Sequence, residues 1–203
     1  TCALPIYNKT EVINMEFEKE KLINLIQGIS NFETIDISEI PDIDLYMDQV
    51  TTFMEDKLQG FKRTENDKIL TKTMINNYTK NKILPAPTKK KYSREHMMLL
   101  ILTYHLKQIL SIGDIHSLLS PISPTSIETL YNNFIEIQSK EYNTFSEELL
   151  KKIDELEKQI LPDEEDPDLI MLYSVIFFLI IQSTLQKKLV ENLIDTYFIE
   201  KKE

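Results

Sequence analysis

The side chains that could do covalent or metal chemistry are few and badly spaced for it. His96, His105 and His116 are the only histidines. The first two lie nine residues apart within one helical pattern, which puts them on opposite faces and denies them a common metal. Cys2 is the single cysteine, so no disulfide or thiolate pair is available within the chain. No Gly-rich phosphate loop, nucleophile elbow or His-carboxylate motif occurs. Glu147-Glu148 and the run Asp163 to Asp166 read as a solvated face and a helix cap. The expectation is a protein without catalysis, cofactor, metal or redox switch.

What remains is charge. The chain carries 33 acidic against 23 basic residues, yet Lys68 to Arg94 holds eight bases and no Asp or Glu. The field at a surface is set by nearby charges, because salt screens distant ones within about 10 Å. A basic island on an acidic protein is therefore a footprint for a polyanion.

The elements that must position these cations follow from local signals. Thr71 to Lys80 reads as a short polar helix, N-capped by Thr71, with Met74, Ile75 and Tyr78 on one face. Pro85 and Pro87 stop it, so residues 83 to 92, with the triple lysine, form an extended or hairpin-like excursion. Ser93 caps the next helix, whose Met97, Leu100, Ile101, Tyr104 and Leu106 to Leu110 give a wide buried side. Ser111 and Asp114 form a capping box for a short helix ending near Leu119.

In this order and spacing the chain resembles the DNA-binding domain of the MerR family. The residues that carry the likeness are Thr71-Lys72-Thr73-Met74-Ile75-Asn76-Asn77-Tyr78 as recognition helix, Ile83-Leu84-Pro85 as its turn, Lys90-Lys91-Tyr92-Ser93-Arg94-Glu95 as wing and helix start, and Leu110-Ser111-Ile112-Gly113-Asp114-Ile115. The full chain also looks like an uncharacterised bacterial family of unknown function that carries this segment. The resemblance implies that Thr71, Lys72, Asn76 and Asn77 face the major groove, while Lys89, Lys90 and Lys91, with Lys80 and Arg94, hold phosphates. Tyr78 and Tyr92 either pack in the core or touch phosphate through their hydroxyls. Where the family has arginine and tyrosine in the recognition helix, this chain has Asn76 and Asn77. Asparagine can read adenine in a bidentate contact.

Elsewhere the chain reads as all-α. Residues 1–14 are expected to be foreign: Thr1 to Ile6 translate the end of a sequencing-library adapter, ACGTGTGCTCTTCCGATC. Thr10 to Ile13 translate a ribosome-binding sequence upstream of Met15, the expected start. Met15 to Ile29 is an amphipathic helix with Phe17, Leu22, Leu25, Ile26 and Ile29 on one side. A second spans Asp44 to Leu58 from an Asp cap and backs the recognition helix, after which the linker Gln59 to Asp67 keeps Glu65 and Asp67 off the nucleic acid. Beyond a hinge at Pro121 and Pro124, a long helix runs from Ile127 to Leu161 with an interruption near Asn143. The acidic turn Pro162 to Asp168 caps a last helix whose Leu169 to Ile181 is almost wholly apolar. That run is shorter than the roughly 20 apolar residues of a spanning helix. Burial in a bundle or a subunit interface is expected instead.

The expected architecture is an all-α, MerR-like winged helix-turn-helix over residues 15–120, followed by a C-terminal helical bundle, dimerisation or sensor region over 121–203. The expected function is sequence-specific DNA binding by a cytoplasmic bacterial transcriptional regulator, a homodimer through its C-terminal helices and without a membrane partner. The alternative is a non-catalytic protein-interaction module on the same scaffold.

Overall fold

The computed structural model describes residues 18–30, 32–161 and 166–199. The foreign-sequence reading of 1–14, Cys2, the start at Met15, Phe17 and the turn residues 162–165 lie outside them. The described chain is mostly helical: α1 (Lys19–Ser30), α2 (Met47–Leu58), α3 (Lys72–Lys80), α4 (Arg94–Lys107), α5 (Ile112–Leu119), α6 (Ile127–Glu157) and α7 (Pro167–Tyr197). Two short strands, β1 (Leu45–Tyr46) and β2 (Lys91–Tyr92), pair antiparallel, with Leu45 opposite Tyr92 and Tyr46 opposite Lys91.

Helix α4 is the hub. Its residues Met97 to Tyr104 are buried without interruption, a wider burial than the single face its spacing predicts. Neighbours surround it: α2, α3, α5, the strand pair and the first turns of α6 all contribute to one core that runs from Ile35 to Tyr131 and takes in Ile194 of α7. Thr103, buried among these residues, returns its hydroxyl proton to the Leu99 carbonyl at 2.6 Å, which satisfies a group that would otherwise cost about 1–3 kcal/mol. The core does not stop at Pro121 and Pro124, because Ile127 and Tyr131 of α6 belong to it.

The segment before β1 is strapped down from far along the chain. The buried Tyr131 hydroxyl donates to the Ile35 carbonyl at 2.7 Å, and burial raises its pKa. Arg94 donates to the Ile37 carbonyl at 2.5 Å. A second, smaller core joins Ile26 of α1, Leu149 and Ile153 of α6, and Met171 and Val175 of α7.

Several boundaries differ from the sequence expectation. Asp44 caps nothing: Leu45 and Tyr46 are drawn into the strand pair, and α2 starts at Met47 with the Gln49 side chain accepting from the Tyr46 N–H at 2.9 Å. Helix α6 passes Asn143 unbroken and ends at Glu157. In α1, Ile26 is buried but Leu25 and Ile29 point to solvent, since only one narrow stripe meets α6. The largest difference is α7. Of its apolar run Leu169 to Ile181, expected to be buried in a bundle or a subunit interface, only Met171 and Val175 are buried within the chain, and Ile180 to Val190 are all exposed.

Candidate nucleic-acid interface

Helix α3 is placed by its caps and its apolar face. The Thr71 hydroxyl accepts the Met74 N–H at 3.2 Å, as its position predicts. Ile75 and Tyr78 are buried in the main core. This leaves Lys72, Thr73, Asn76, Asn77 and Lys80 as an exposed outer face, the stripe that a helix generates at three- and four-residue steps. Neither the Asn76 nor the Asn77 side-chain amide has a hydrogen-bond partner among the described residues, so both are free to read an external ligand. Thr73 belongs to this face as well; its place between Lys72 and Asn76 at helical spacing was the signal for it.

The far end of α3 closes in a Schellman motif. Ile83 N–H bonds the Tyr78 carbonyl at 3.0 Å, Lys82 N–H bonds Thr79 at 3.1 Å, and Lys82 takes the left-handed conformation with φ of 59°. Ile83 and Tyr78 are both buried, which supplies the apolar contact that accompanies this cap. After Pro85 and Pro87 the chain turns tightly: Thr88 pairs with Lys91, and the Lys91 N–H bonds the Thr88 carbonyl at 2.9 Å. Lys89 and Lys90 form the tip, with φ of 51° and 65°. Positive φ at both central positions defines a type I′ hairpin turn. The excursion expected over 83–92 is thus a Pro-bounded hairpin docked on β1.

Other expected contacts have partners within the protein. Tyr78 and Tyr92 are each 3% exposed; of the two readings open for them, packing is the one realised, and burial raises both pKa values. Arg94 is not a free cation. It spans Ile37 and Asp42, the latter at 3.6 Å, and its Nε is buried without a partner among the described residues. Lys72 pairs with Asp48 on α2. Both side chains of that pair are well exposed, so it is worth under about 1 kcal/mol and a phosphate could displace it. Lys91 lies over the Tyr46 ring, 5.2 Å from its centroid. Lys80, Lys82, Lys89 and Lys90 are exposed and have no carboxylate within ion-pair distance among the described residues.

His96 and His105 serve packing. His96 Nδ1 accepts the Ser93 N–H at 3.1 Å at the start of α4, and burial is the main cause of its lowered pKa. His105 sits among Phe61, Tyr104 and Phe134, with ring centroids 5.2 to 5.4 Å away. Burial pushes its pKa down to about 4. The capping box at α5 forms as its residues predict, with Ser111 and Asp114 each accepting the other's N–H at 3.2 Å. Among the described residues no three His, Cys, Asp or Glu side chains gather in a metal-holding group.

The fold and this face define a mostly helical protein built on a buried hub helix, with an edge of cations and amides suited to a polyanion. Residues 35–134 match the model of DUF1836, a domain of unknown function. These limits coincide with the main core, which opens at Ile35 and has Phe134 among its last packed residues. Neither the curated proteins nor the solved structures contain a match to this chain.

Proposed function

We propose that this chain is a non-enzymatic, MerR-like winged-helix DNA-binding protein, a bacterial transcriptional regulator of the cytoplasm that works as a homodimer. The observation that carries the reading is the outer face of α3. It presents Lys72, Thr73, Asn76, Asn77 and Lys80 to solvent, with both asparagine amides unengaged, inside a stretch from 68 to 94 without a single acid. A two-residue hairpin follows it with lysines at its tip. A helix in the major groove with a wing on the backbone has this layout.

The exposed apolar surface of α7 supports the homodimer. The helix is long and apolar enough to cross a membrane, but both its ends are tied to one body. Met171 and Val175 pack on α1 and α6, and Ile194 enters the main core. These anchors are separated by about 35 Å of helix, at 1.5 Å per residue. A spanning helix would carry them to opposite sides of a bilayer. Cover by a second copy fits this arrangement.

Selection of bound fragments from random duplex DNA, repeated at two salt concentrations, tests the reading. Asn76→Ala or Asn77→Ala should then cost about 1–3 kcal/mol on the selected site and little on random DNA. Selection that yields no enriched sequence, with both variants indistinguishable from wild type on every duplex, would hand the scaffold to the protein-interaction reading.

A further inference from the structure

Three described residues have positive φ, and all three are lysines: Lys82 at 59°, Lys89 at 51° and Lys90 at 65°. The described glycines Gly28, Gly60 and Gly113 are not among them. This inverts the usual allocation. The residue after a helix C-cap and both central positions of a type I′ turn favour glycine or asparagine, because a Cβ in the left-handed region crowds the backbone. A hairpin that only had to turn would be lower in energy with Asn-Gly at its tip.

No side-chain ion pair among the described residues compensates for the lysines there. Each side chain is exposed. None reaches a carboxylate among the described residues, whereas Lys57, Lys62, Lys72 and Arg94 in the same domain are paired with Glu39, Glu55, Asp48 and Asp42. Strain kept at exposed, unpartnered positions points outward, to a ligand absent from the free protein.

We propose that Lys82 joins the wing lysines Lys89 and Lys90 in holding phosphate, and that all three are kept at left-handed positions at the expense of stability. The inference rests on the DNA reading and extends it in two ways. It adds Lys82, which no wing motif points to, as a contact at the end of the recognition helix. It also makes these three lysines differ from Lys80, which sits on ordinary helical backbone: replacing them should trade binding for stability.

The test uses the full chain, a random-sequence duplex and poly-L-glutamate as probes, and thermal melts. Lys82→Gly, Lys89→Gly and Lys90→Gly should each raise Tm by about 1–4 °C. Each should also weaken duplex binding several-fold at about 50 mM salt and lower the salt slope by about one. Lys90→Gln, which keeps a Cβ but removes the charge, should lose the same affinity without gaining Tm. Lys140→Ala on α6 should change neither. A wild-type protein that ignores duplex even at low salt sinks the DNA reading itself. A wild type that binds DNA, with glycine variants that bind equally well, sinks this inference alone. Tighter binding of poly-L-glutamate than of duplex would overturn it in favour of an acidic protein partner, and unchanged Tm in all three glycine variants would remove the strain on which it stands.

Discussion

Helices α4 and α7 are both rich in large apolar residues, and the protein treats them in opposite ways. In α4, Met97 to Tyr104 are buried without a gap because five other elements close around them. In α7, Phe177, Ile180, Ile181, Leu185 and Leu189 are each more than half exposed, because the helix buries side chains against the body only near its two ends, at Met171, Val175 and Ile194. Apolar composition thus states that a helix needs cover; it does not state who provides it. For α4 the cover is its own chain. For α7 the chain leaves most of the helix open, and an exposed apolar surface of this extent marks a protein or membrane interaction site.

Substitution at the hub should give the largest effect. Leu100→Ala removes a side chain with no exposed surface and should destabilise the protein by about 2–5 kcal/mol, the cost of lost transfer plus cavity. Urea denaturation would measure it. A change below about 1 kcal/mol would mean that α4 is not the rigid centre described.

Acid should act next, through the same hub. His105 is neutral in the fold, with its pKa pushed down to about 4 from 6.5, so the unfolded chain takes up the proton first as pH falls. Its contribution is intact above 6.5 and is lost progressively from 6.5 toward 4. Between pH 7 and 5 the loss should be about 2 kcal/mol. His105→Phe, which keeps the aromatic contacts, should flatten that part of the stability profile. An identical pH slope in the variant would contradict the buried placement.

The α7 side of the comparison should show the smallest effect on folding and a clear one on assembly. Leu185 is exposed on the isolated chain, so Leu185→Asp should change monomer stability by less than about 0.5 kcal/mol. It should dissociate the proposed homodimer, since it would bury an unpaired charge in an apolar interface. Light scattering with a circular-dichroism melt separates the two. If the variant remains dimeric, α7 is not the interface.

Much of the local structure was legible from the residues alone. Thr71, Ser93 and the Ser111–Asp114 box open three helices where they should, and Pro85 with Pro87 bounds the excursion between two of them. These signals work because a cap or a proline acts through hydrogen bonds and sterics within a few residues of itself. The acid-free stretch was legible for the same reason: charge is a property of composition. What the sequence left open depends on partners that are distant along the chain. Leu45 and Tyr46 became a strand because Tyr92 and Lys91 were there to pair with them. Arg94 and Lys72 were claimed by Asp42 and Asp48, and Tyr78 and Tyr92 were drawn inward by the hub. Nothing local marks Lys82, Lys89 and Lys90 as left-handed, since no glycine or asparagine stands there. The Schellman closure at Ile83 and the pairing of Thr88 with Lys91 impose that conformation, and only the assembled fold holds them to it.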